Sequence, residues 1–229
     1  MSIQLHNAFQ NILSMPYYKN EPARSGGSKY GHEAAVASVI QDAGFTSVDR
    51  SQFPKLTSSI LFEWRDTGND STLRTITEGL LPGSYILQPA GSQSPPDILV
   101  KDFNDRFVAI ECKSVEKNTC PMWNDNLPKS DFIYVLASGI TNTTTVFFGK
   151  DVISPNIIIL QQQMWAEVKA VIDKWNAQIQ TEDDATYSRG WLVKARPQNF
   201  QQGGAAKTNY FTHNGRSQCE ANVLDYVKL

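Results

Sequence analysis

Two short clusters about fifteen positions apart hold the side chains best suited to chemistry: Pro96-Asp97 and Glu111-Cys112-Lys113. Each borders an apolar run, Ile98-Leu99-Val100 and Phe107-Val108-Ala109-Ile110, and the polar turn Phe103-Asn104-Asp105 lies between them. The pattern predicts a β-hairpin with two carboxylates and an ammonium gathered on one edge. Such a set suits a divalent cation and a water activated against a phosphodiester. Strand side chains alternate faces, so Glu111 and Lys113 share one face while Ile110 and Cys112 point to the other.

The register sets a condition. A two-residue loop at Asn104-Asp105 pairs Asp97 with Cys112, on the wrong face. A three-residue loop from Phe103 to Asp105 places Asp97 opposite Glu111, with Cβ atoms roughly 5 Å apart. The chemistry therefore requires an odd loop, a bulge or a bend.

Glu167-Val168-Lys169 also reads acid-x-Lys, but in a helical pattern where both charges are solvated. The Glu111 tripeptide differs by ending a strand beside a Pro-Asp. Burying like charges costs several kcal/mol without a counter-ion. A strand end with Asp97, Glu111 and Lys113 therefore faces water or holds a cation. The plain alternative is an exposed hairpin edge with an ion pair worth about 0–1 kcal/mol.

On these residues the chain resembles the PD-(D/E)xK nuclease superfamily, and within it the type II restriction endonucleases. The resemblance runs through Gln88-Pro89-Ala90-Gly91-Ser92-Gln93-Ser94-Pro95-Pro96-Asp97 and Ala109-Ile110-Glu111-Cys112-Lys113. It continues through Trp123-Asn124-Asp125-Asn126-Leu127-Pro128-Lys129 into Asp131-Phe132-Ile133-Tyr134-Val135, covering about residues 80–150. It implies an α/β (α+β) fold with a mixed β-sheet core of restriction-endonuclease-like type, flanked by helices. It also implies Mg²⁺-dependent cleavage of double-stranded DNA, with Asp97, Glu111 and Lys113 as catalytic residues. The family pattern adds a carboxylate on a helix before the motif strands, and Glu33 fits that place. Glu33 falls in line with Val36 and Ile40 on a helix running to Ala43 and stopped by Gly44. It is either a third metal ligand with Asp97 and Glu111, or a first-turn acid favoured at a helix N-terminus by about 0.3–1 kcal/mol.

Global quantities are permissive. A chain of 229 residues, 41% hydrophobic and 19% charged, is an ordinary globular protein with room for one substantial core. No apolar stretch approaches the ~20 residues that span a bilayer, so no membrane is expected. Met1 to Gln10 lacks the charged start and apolar run of a signal peptide. Cys112, Cys120 and Cys219 are odd in number and not closely paired, which favours a reducing cytoplasm over disulfides or a zinc cage. His6, His32 and His213 are scattered.

The net charge of −2 runs against phosphate binding, but its distribution is uneven. Residues 185–229 carry six cations against two acids, whereas 151–184 carry two cations against six acids. We read residues 1–229 as a single nuclease domain whose 185–229 part is basic, loop-rich and DNA-contacting.

Helices are expected over 1–15 and Ile157 to Gln180, with a flexible connection at 16–29. The second helix carries Met164, Val168, Val171, Ile172 and Trp175 as an apolar stripe for core or dimer contact. The segment 45–90 reads as short strands and turns, including Phe62-Glu63-Trp64 and Tyr85-Ile86-Leu87. Strands follow at about 97–102, 106–113, 131–137 and 145–148, with another at Trp191-Leu192-Val193.

For reading bases, the best stretch is Arg196-Pro197-Gln198-Asn199-Phe200-Gln201-Gln202-Gly203-Gly204. Arg fits guanine and Asn or Gln fits adenine through paired hydrogen bonds, worth about 1–3 kcal/mol of discrimination. Lys207, Asn209 and Arg216 extend that chemistry, while a plain surface loop has the same composition. Ser25-Gly26-Gly27-Ser28-Lys29 could clamp phosphate near Glu33. Asn124, Asp125 and Lys129, just past the motif strand, are placed to support the site or the DNA backbone. Cutting a duplex at a symmetric site needs two centres, so a homodimer is expected. The alternatives are a repair or recombination nuclease with the same core and a non-catalytic DNA-binding module.

Overall fold

The computed structural model describes residues 3–19, 31–92, 94–124, 127–182, 190–195, 198–199, 201 and 208–229, with Asn124 and Gln198 described in backbone only. Its centre is a six-stranded mixed sheet. The strands are β1 (Thr46–Val48), β2 (Ser84–Leu87), β3 (Ile98–Lys101), β4 (Phe107–Val115), β6 (Ile133–Ser138) and β7 (Thr143–Phe148), in spatial order β1-β2-β3-β4-β6-β7. A separate two-stranded ladder joins β5 (Trp123–Asn124) to β8 (Gln198–Asn199). The β1/β2 and β4/β6 pairs are parallel and the rest of the main sheet is antiparallel.

Alternation along the central strands builds two cores. Ile98, Val100, Val108 and Ile110 pack beneath α1 (Ile3–Leu13), α2 (His32–Asp42) and α7 (Arg216–Lys228). Leu99, Phe107 and Ala109 face the other way, toward α3 (Ser58–Thr67) and α4 (Ser71–Ile76). Each helix earns its place by helical spacing of its buried side chains. In α1 these are Leu5, Ala8, Phe9 and Ile12. In α2 they are Val36, Ala37 and Ile40, and the chain leaves that helix through Gly44 at φ +99°.

Two expectations change and two gain detail. Phe62-Glu63-Trp64 lies in α3, not in a strand, because Leu61 and Trp64 bury one helical face and Gly68 caps the end in the left-handed conformation. Trp191-Leu192-Val193 is exposed and forms no strand. Within the part read as loop-rich, 185–229, the chain also forms α7, which buries Val223 and Val227. The long helix α6 (Pro155–Glu182), which follows the short helix α5 (Gly149–Val152), forms as expected but buries none of its residues. Its stripe is therefore not core in the single chain. Among the described residues no helix is long and apolar enough to cross a membrane.

Candidate active site

The hairpin turn decides the site. Lys101 pairs with Phe107 and Ile98 with Ile110, so the loop holds the three residues 103–105, and one step beyond the ladder Asp97 faces Glu111. Asp102 enforces this turn. Its buried carboxylate accepts hydrogen bonds from the Asn104 and Arg106 peptide N–H groups, both at 2.9 Å, and from Arg106 Nε at 2.9 Å. Asp105 takes the left-handed conformation at φ +63°, which a short polar side chain tolerates, and pairs with Arg74 and Lys101.

At the open end of the hairpin the charged groups converge. The Cys112 peptide N–H donates to Asp97 Oδ2 at 2.7 Å, fixing that carboxylate against β4. Lys113 Nζ donates to Glu111 Oε1 at 2.6 Å. Glu33, in the first turn of α2, accepts from Gln88 Nε2 at 3.3 Å. Glu33, Gln88, Asp97 and Lys113 line one cleft of about 430 Å³ together with His32 and Ser114. Glu111 does not line it; only 8% exposed, it is bonded to Lys113, which does.

The electrostatics are those of crowded negative charge in a dry place. Burial, then the Asp97 charge, pushes Glu33 up to about 6, with the Gln88 bond pulling back. Burial, then Asp97, raises Glu111, while Lys113 and the Asp97 peptide N–H pull the other way. Burial raises Asp97 despite the Cys112 N–H and Lys113. Burial also opposes the charged form of Lys113, but Glu111 and Asp97 outweigh it and its pKa rises. Glu111 Oε2 is buried and accepts no hydrogen bond of normal geometry from the described residues. Three acids share this end with one ammonium, and one buried carboxylate oxygen has no hydrogen bond of normal geometry: a divalent cation fits that donor set. Among the described residues no three His, Cys, Asp or Glu side chains close a metal cage on their own. Mg²⁺ keeps several waters and needs only one or two carboxylates plus phosphate oxygens, so an open site suits it.

Sequence reasoning missed His32, Gln88 and Ser114 as cleft residues. Buried His32 donates from Nε2 to the Val135 carbonyl at 3.1 Å, and burial lowers its pKa. Gln88 had a legible signal: it ends the apolar run Tyr85-Ile86-Leu87, and β2 pairs with β3 so that Leu87 faces Ile98. It also sits at φ +45° with its N–H bonded to the Asp97 carbonyl at 2.6 Å.

The expected DNA-contacting residues are placed elsewhere. Gln201 Oε1 accepts from Tyr210 Oη at 2.7 Å, Cys120 Sγ at 3.0 Å and Trp123 Nε1 at 3.2 Å. Asn199 is bonded to Gln161 of α6. Asn209 Oδ1 accepts from the Phe211 and Thr212 N–H groups. Arg216 is committed to Glu220 at 2.7 Å and to the Phe211 and Thr144 carbonyls. Gln201, Asn209 and Arg216 line a second cavity of about 200 Å³ that shares no residue with the carboxylate cleft. Lys129 lies over the Phe62 ring at 4.6 Å. The backbones of Asn124 and Gln198 pair in the β5/β8 ladder. Lys29, Asp125, Arg196, Gln202 and Lys207 lie outside the described residues.

Comparison with protein-family models, with curated proteins and with solved structures finds no match for this chain.

Proposed function

We propose that this chain is a Mg²⁺-dependent endodeoxyribonuclease with a restriction-endonuclease-like core, cleaving double-stranded DNA at specific sites as a homodimer in the cytoplasm. The observation that carries the reading is Asp97 facing Glu111 across a three-residue hairpin, with Lys113, which lines the cleft, 2.6 Å from Glu111.

Asp97 and Glu111, with Glu33 lining the same cleft as Asp97, are the residues that would hold the cation. When bound, the ion supplies Lewis-acid polarisation of a phosphate oxygen and a lowered water pKa. Lys113 stays charged, and Glu111 aims its ammonium where it orients the attacking water or offsets negative charge gathering on the phosphoryl oxygens. The Cys112 N–H holds Asp97 in place through the reaction.

A repair or recombination nuclease that reads DNA shape is the second reading. One observation favours it: Asn199, Gln201, Asn209 and Arg216 are bonded within the chain rather than free to meet base edges.

Incubation with phage DNA, with and without Mg²⁺, separates the readings. Discrete bands that require Mg²⁺ are expected. Smearing or cutting of branched substrates alone indicates the second reading, and a gel shift over intact DNA indicates a binding module. Asp97→Ala and Lys113→Ala should each lower cutting by about a thousandfold while circular dichroism shows the fold intact; wild-type rates in either variant refute the assignment.

A further inference from the structure

We propose that two copies of this chain pair antiparallel through α6. The helix is about 42 Å long at 1.5 Å per residue, and none of its residues is buried. Along one side run Ile157, Leu160, Met164, Val171 and Trp175, each 48 to 64% exposed. Beside them lies Trp191-Leu192-Val193, 51 to 70% exposed and tied to the helix by two hydrogen bonds between Asn176 and the Val193 backbone, at 2.8 and 3.0 Å. At about 100 Å² for each half-exposed large side chain, this patch offers on the order of 800 Å², the share each partner contributes to a stable interface. A lone chain rarely exposes a contiguous apolar patch of that size.

Among the described residues nothing covers it: each of these side chains is about half exposed or more. The segments outside the described residues contain no Leu, Ile, Val or Trp. A lipid surface is a poor occupant, since α6 carries three acids against two lysines where interfacial helices are rich in Lys and Arg.

Charge selects a second copy and its direction. Glu167 and Lys174 lie one heptad apart on the same edge of the stripe. An antiparallel pair related by a two-fold axis brings like edges together, so a crossing near Ala170-Val171 sets each Glu167 beside Lys174 of the partner subunit, twice. A parallel pair would turn that edge against the side where the Trp191–Val193 segment lies, and the two reciprocal Glu167–Lys174 pairs would not form.

This surface stands on its own packing and charge, apart from the cleavage reading, and its test contains neither DNA nor metal. Sedimentation equilibrium at micromolar concentration should give twice the 25.6 kDa of one chain. Leu160→Glu and Val171→Glu, at exposed positions, should each raise the dissociation constant roughly thirtyfold or more, with circular dichroism unchanged. Glu167→Lys should weaken pairing, and adding Lys174→Glu should restore it. A wild-type mass of one chain, or a dimer undisturbed by both Leu160→Glu and Val171→Glu, overturns the proposal; a double charge swap that fails to restore pairing overturns the antiparallel arrangement.

Discussion

The β3–β4 hairpin and the stretch from α6 to Arg216 both carry patterned sequence, yet the fold treats them differently. In the hairpin each strand side chain meets a partner fixed by register, and one face is buried on each side of the sheet. A one-residue slip would reverse every side chain, so the pattern leaves a single geometry. Along α6 the apolar period specifies a helix but not what lies against it, and the helix stands with no residue buried. Periodicity fixes an element; only long-range pairing fixes the surroundings of its side chains.

The sharpest way to break this contrast is to loosen the hairpin's register. Asp102 is fully buried and holds the turn through two peptide N–H groups and the Arg106 guanidinium. Asp102→Ala strands that guanidinium and two N–H groups, at a cost of about 3–5 kcal/mol. For a chain of this size the melting temperature should fall by roughly 6–20 °C. DNA cleavage should fall with it, because Asp97 no longer stays opposite Glu111. An unchanged melting curve would mean the turn is set by something other than this carboxylate.

Gln201 tests the other region. If its amide oxygen binds Tyr210, Cys120 and Trp123 as placed, Gln201→Ala leaves a buried indole N–H and a phenol without an acceptor. That costs about 1–3 kcal/mol, seen as an earlier urea midpoint with an unchanged cleavage pattern. A base-reading role predicts the reverse: unchanged unfolding and relaxed site choice in a digest of known DNA.

What could be read in the sequence follows the same division. Asp97, Glu111 and Lys113 were legible because alternation and an odd loop force them together, and strands β2, β3, β4, β6 and β7 show as apolar runs bounded by turns. Phe62-Glu63-Trp64 was misread because three residues with two aromatics fit either period; the face that decides is Leu61 with Trp64, buried against Phe107. Gln201, Asn209 and Arg216 have the composition of a reading loop, and nothing local tells that their polar groups are spent on Tyr210, Phe211 and Glu220. Gln88 shows in the sequence only as the end of the Tyr85-Ile86-Leu87 run; what sets it at the cleft is the β2/β3 pairing, a long-range contact.

The smallest effect probes the charge balance at the hairpin's open end. Raised carboxylate pKa values favour the fold in the protonated form. That stability is complete below the unfolded value of 4.5 and is lost as pH rises through the folded values, about 6 for Glu33 and likewise raised for Glu111. Glu111→Gln removes one of the competing charges and leaves Lys113 to balance Asp97. Without metal, its melting temperature near pH 8 should exceed the wild type by about 2–4 °C, matching about 1 kcal/mol, and near pH 4 the difference should vanish. Mg²⁺ should raise the wild-type melting temperature near pH 8 and leave Glu111→Gln almost unmoved, since a cation that binds the native site stabilises by mass action. A variant no more stable than the wild type near pH 8 would show that Lys113 already compensates Glu111, removing the electrostatic argument for a cation there.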